Sequence, residues 1–245
     1  MIDFSQNLYV EDYSFKETEE LRTASRSGDI PTSEQISGIE VRLSKVFIID
    51  NKTRQFGPFP GLATVYLMNM VLTDLGTSEI DLNLNGFEKV DDRQTLAVNR
   101  TLFFWKKTEE NLKAPSQIHI MSSLLKSKKG LRDTAAVVAS AKDDSNFQGL
   151  TSQLGGLLKT ATNFGTISGI VFQAASIVGN LLKDVEDKPL LTRFQSFTDL
   201  GGDFNQLGKT DNPFSNRYAE LDYSIFIRDK ARQQEAEGNN PATGS

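Results

Sequence analysis

The sequence predicts a mainly β protein: an antiparallel β-sandwich of about seven to eight strands, with an α-helical insertion between the fifth and sixth strands. Three observations carry this expectation. Apolar and polar residues alternate with a period of two in several separate runs from Ile39 onward. Turn residues, Gly57-Pro58 and Asn85-Gly86 among them, punctuate those runs. One long region, residues 127–185, abandons that period for helical spacing.

Residues 1–38 are polar, acidic and rich in turn formers, and read as an N-terminal arm outside the core. Ser14 and Glu17 have the spacing of a capping box, which predicts a short helix from about Phe15 to Ala24. The sandwich domain is expected over residues 39–230, with its insertion at 129–185. Residues 231–245, rich in Gly, Asn and Pro, read as a disordered tail.

Within the domain, Ile39, Val41 and Leu43 alternate with Glu40 and Arg42, and the run continues to Ile49. Leu62 to Leu72 is a long apolar strand. Ile80, Leu82 and Leu84 alternate with Asp81 and Asn83, and Asn85-Gly86 then reads as a two-residue hairpin turn. Leu96 to Trp105, Gln117 to Leu125, Leu190 to Phe197 and Tyr218 to Ile227 complete the strands. In the insertion, Leu131, Ala135 and Val138 fall at i, i+4 and i+7, with Asp133 placed to cap the first turn. Leu150, Leu154, Leu158 and Ala161 repeat the spacing, and Phe164 to Leu182 holds it too long for one strand.

Composition excludes several chemistries. The chain has 245 residues, 27 Lys plus Arg, 32 Asp plus Glu, one His and no Cys. Disulfides, thiolate nucleophiles and cysteine zinc sites are therefore ruled out, as is any metal site that needs two His ligands. The net charge of −5 argues against general nucleic-acid binding. Met1-Ile-Asp-Phe-Ser5 lacks the basic and apolar stretches of a secretory signal, so a cytoplasmic protein is expected, exported only by a signal-independent route if at all. The sequons Asn51-Lys-Thr53 and Asn99-Arg-Thr101 carry no weight in that setting.

Four features invite a functional reading. Thr160 to Leu182 carries no charge and lies between Lys159 and Lys183; it contains Gly165 and Gly169 in GxxxG spacing and Gly179 in a second small-residue repeat. A buried helix is the expectation, with Ile170 and Val171 central to its packing or to membrane insertion. Upstream, Lys126, Lys128, Lys129 and Arg132 form a basic turn that could meet anionic headgroups. Phe56 and Phe59 place two aromatics in a Gly/Pro loop, the chemistry of a partner-binding anchor. His119, between Ile118 and Ile120, is expected on a strand, half exposed and facing away from both.

Other motifs lead nowhere. Gly202 and Gly208-Lys209-Thr210 are separated by five residues, where a phosphate-binding P-loop needs four, and Asp211-Asn-Pro213 then reads as a turn. His119 has no Gly-x-Ser-x-Gly elbow to serve. Acidic residues recur in turns (Asp91-Asp92, Asp143-Asp144, Asp199 with Asp203), but no calcium-loop motif organises them, so neither Ca²⁺ nor another cofactor is expected. The resulting expectation is a non-enzymatic binding or structural subunit acting through protein–protein contacts or self-association. The alternative is a membrane-binding or permeabilising protein that uses residues 126–183.

Overall fold

Two β-sheets and a layer of three helices make up the computed structural model, which describes residues 2, 4, 8–11, 36–53, 61–75, 80–110, 112–127, 129–160, 164–182, 185, 186, 188–199 and 201–229. The strands are β1 (Leu8–Glu11), β2 (Ile36–Ile48), β3 (Ala63–Thr73), β4 (Asp81–Val90), β5 (Gln94–Thr95), β6 (Arg100–Lys106), β7 (Gln117–Ser127), β8 (Leu191–Thr198), β9 (Gly208–Ser215) and β10 (Ala219–Asp229). The helices α1 (Thr134–Asp143), α2 (Ser145–Thr160) and α3 (Phe164–Leu182) fall between β7 and β8. Of the described residues, strand makes up 48 % and helix 24 %, so the protein is mainly β.

The first sheet has the order β1-β8-β7-β3-β4, and the second the order β5-β2-β10-β9, with β6 also paired to β2. Pairing is antiparallel except between β1 and β8. Alternation along β3 explains how the layers meet. Ala63, Val65, Leu67 and Val71 join an apolar cluster that includes Val41, Leu43, Leu221 and Ile225 of the second sheet. Tyr66, Met68, Met70 and Leu72, on the opposite face, join Ile167, Val171, Ala174 and Val178 of α3. The first sheet is thus buried on both faces, which is why β3 reads as a nearly continuous apolar run.

The helices follow from local chemistry and one apolar stripe each. Asp133 Oδ1 accepts from the backbone N–H groups of Ala135 and Ala136 at 3.0 and 3.1 Å, capping α1 as expected. Asp144 does the same for α2 through Asn146 and Phe147, at 2.8 and 3.1 Å. The stripe of α1 differs from the expected one: Val137 and Ala141 are buried, whereas Ala135 and Leu131 are exposed.

Tertiary packing overrides several local expectations. Residues 1–38 are not simply an arm. Leu8–Glu11 pairs with β8, Ile2 and Phe4 are buried beneath the helical layer, and β2 starts at Ile36. The helix expected over 15–24 lies outside the described residues, as does the tail from 231.

Asn85-Gly86 is not a hairpin turn but lies within β4. There Leu131 covers Gly86, and a Cβ on it would fall 2.1 Å from Leu131 Cδ1. The expected strand from Leu96 starts only at Arg100, after a break that separates β5 from β6 along the same partner, β2. Asp211-Asn-Pro213 is likewise strand rather than turn: it lies in β9, at the sheet edge where a proline is tolerated.

Candidate functional site

Among the described residues, those singled out in the sequence do not converge. Phe56, Phe59 and Lys128 lie outside the described residues. Lys126 is buried, donates to the Lys52 carbonyl at 2.8 Å and pairs with Glu186 at 3.5 Å, so it is not the anionic-surface contact that was expected. Lys129 and Arg132 are exposed, and the Arg132 N–H donates to Tyr66 Oη at 2.8 Å. Ile170 and Val171 are buried against the first sheet.

Gly179 admits close approach, though of the N-terminal segment: Ile2 Cδ1 lies 2.2 Å from where its Cβ would be. Among the described residues, a Cβ on Gly169 would meet nothing within 4 Å, so that glycine serves no close contact there. Gly165 opens the first turn of α3, and its surroundings lie outside what the structure describes. Among the described residues, no helix is long and apolar enough to cross a membrane.

His119 faces the helices, away from Ile118 and Ile120, but it is buried rather than half exposed. Gln117 Nε2 donates to the Leu158 carbonyl at 2.7 Å, one of the end carbonyls that α2 leaves without a helical partner. Gln117 Oε1 is therefore free to accept from His119 Nε2, 3.0 Å away, which leaves Nδ1 to accept from Ser196 Oγ at 2.6 Å. Every polar atom of the neutral ring is used. Burial, partly opposed by the charge of Asp74, pushes the imidazole down to about 4. The arrangement ties sheet to helix and leaves no nitrogen for a reacting proton.

A second buried polar group had no counterpart among the residues singled out in the sequence. Arg193 of β8, 1 % exposed, stands in one register row with Ser122 of β7 and Asn69 of β3. By alternation with Leu191 and Phe197, that row faces the second sheet. Arg193 Nη1 donates to the carbonyls of Asn212 and Leu221 at 2.6 and 2.9 Å, and Nη2 donates to Gln195 Oε1 at 2.7 Å. Tyr9 of β1 stacks on Phe214 of β9 with centroids 3.9 Å apart, joining the edges of the two sheets beside this arginine. The one available signal was a cation within Leu191-Thr-Arg-Phe-Gln-Ser-Phe197, on the same alternate face as two apolar residues.

The outward face of the second sheet is different. Helices cover the first sheet, but here large side chains remain open to solvent. Register places Phe104, Glu40, Phe226 and Lys209 in one row, and Thr101, Arg42, Ser224 and Asp211 in the next. Glu40 is buried among partners: Arg42 Nε donates to it at 2.5 Å, Thr101 Oγ1 at 3.0 Å and Arg228 Nη2 at 2.9 Å. Burial pushes its carboxyl up, and the hydrogen bonds from Arg42, Arg228 and Thr101 outweigh that, leaving it below the ordinary value. Both arginines also lie over the Phe226 ring, at 5.1 and 5.7 Å from its centroid. Phe104, 59 % exposed, is the most open large apolar side chain among the described residues.

Turn carboxylates serve local structure. Asp92 accepts from the Asn51 N–H at 2.8 Å and Asp203 from the Thr198 N–H at 2.6 Å. Among the described residues no group of three or more His, Asp or Glu could hold a metal ion. Asn51, the acceptor residue of the first sequon, is fully buried, its amide nitrogen donating to the Gly61 and Val90 carbonyls at 2.6 and 2.9 Å. No protein-family model matches the chain, and no characterised protein matches it in sequence.

Proposed function

We propose that this chain is a non-catalytic binding or structural subunit, working in the cytoplasm through contacts with other proteins. Its body is read as an antiparallel sandwich whose first sheet carries the helical insertion on its outer side. The observation that carries the proposal is the asymmetry of the two sheets. One has both faces buried, whereas the other presents an ordered charged and aromatic face with Phe104 open to water. Exposed aromatics beside arginine are the residue types that protein interfaces favour. The test is the native mass of the protein, tagged in its own host and resolved without denaturant. Migration well above the mass of a single chain supports the proposal, and migration only as a monomer overturns it.

A further inference from the structure

We propose that the outward face of the second sheet, where β6 meets β2 and β10, docks an acidic polypeptide segment that also presents an apolar side chain. This rests on the reading of the chain as a contact protein and names the partner's chemistry. Lys106 and Arg228 both register with Gly38, which is buried and lets the Arg228 side chain lie close over the strand. One register step along, Phe104 and Phe226 flank Glu40, and Arg42 follows. Three cations thus face out against one carboxylate, on a chain whose net charge is −5. The neighbouring Lys209–Asp211 pair, at 2.8 Å, neutralises itself and adds nothing.

The two arginines are also held in place. Glu40 fixes both guanidinium groups, and Phe226 lies under both, so little side-chain entropy remains to be lost on binding. Arg42 and Arg228 keep 41 % and 38 % side-chain exposure, enough to meet a carboxylate from outside. Phe104 supplies the apolar contact beside them. An acidic chain with an apolar residue matches both parts, and the attraction steers its approach.

The full chain is titrated with a fluorescein-labelled peptide of alternating Glu and Leu, read by anisotropy, with an oligouridylate as the second probe. Binding of the peptide is expected, weakening as salt rises. It should also weaken about tenfold in Lys106→Glu and in Phe104→Ser, both exposed positions whose fold is checked by circular dichroism. Lys142→Glu, on exposed α1 surface, should leave it unchanged. No peptide binding, equal loss in Lys142→Glu, or tighter binding of the oligouridylate overturns the proposal. A large native complex that survives both face substitutions also removes this face while leaving the subunit reading intact. Peptide binding by a chain that is monomeric in its host does the reverse.

Discussion

Arg193 and Tyr223 meet across the two sheets, the guanidinium carbon 4.5 Å from the centroid of the phenol ring. Both side chains are within 1 % of complete burial. A cation on the first sheet is thereby seated on an aromatic of the second, while its Nη1 holds carbonyls of β9 and β10.

Truncating that arginine should be costly. Arg193→Ala leaves two backbone carbonyls and Gln195 without their donor and opens a cavity between the sheets. A loss of about 3–5 kcal/mol is expected, read by urea unfolding. Arg193→Lys should recover only part of it, because a point charge cannot reproduce the planar fork. Unchanged stability in Arg193→Ala would show that the two sheets do not depend on this tie.

His119 predicts a pH dependence with a definite sign. Above pH 6.5 the ring is neutral in both folded and unfolded chains. Between pH 6.5 and about 4 the unfolded chain takes up a proton that the folded chain refuses, so stability falls as pH falls. The loss amounts to about 3 kcal/mol at the lower end of that window. His119→Gln keeps one donor and one acceptor but cannot charge, so the stability of the wild type relative to this variant should be constant above pH 6.5 and fall below it. Parallel urea midpoints from pH 7 to 4 would contradict this.

Gly169 and Gly179, alike in sequence, should respond differently to alanine. Gly169 has open space where a Cβ would go, so Gly169→Ala should stabilise by about 0.5–1 kcal/mol through helix propensity. In Gly179→Ala the same gain is offset by displacement of buried Ile2. The expected signature is faster proteolysis at the N-terminus in Gly179→Ala alone, followed by mass spectrometry.

Glu40 keeps its charge by virtue of its three donors. Glu40→Gln leaves Arg42 and Arg228 without their shared carboxylate, and a loss of about 1–3 kcal/mol is expected at pH 7. Because the folded carboxyl lies below its ordinary value of 4.5, the wild-type advantage is present above that pH and disappears as the pH falls through the folded value. Thermal melts from pH 7 downward compare the two, and an advantage that stayed constant however far the pH fell below 4.5 would count against this account.

Where the chain signals its structure locally, the sequence is readable. Asp133 caps α1 because its side chain reaches N–H groups two and three residues away, and β2 alternates because one face meets a core and the other meets water. Three short or polar strands escaped. β1 has four residues and β5 two, too few to show a period, and β9 is an edge strand of sequence Gly-Lys-Thr-Asp-Asn-Pro-Phe-Ser. The outward face was equally hidden. Phe104 lies in a run of aromatics, and only its register with Glu40 separates it from Phe103 and Trp105, which point to the core.

The sequence by itself determined the period of most strands, the helical spacing from α1 to α3 and the absence of cysteine chemistry, because each depends on residues close together in the chain or on composition alone. The tertiary structure decided which faces are buried. Gly86 became strand because its backbone pairs with Tyr66 of β3, His119 became buried because helices cover its face, and Arg193 became a tie because carbonyls of the other sheet lie opposite it. Each of those partners lies 19 or more residues away along the chain, a separation at which no local pattern records what will be packed against what.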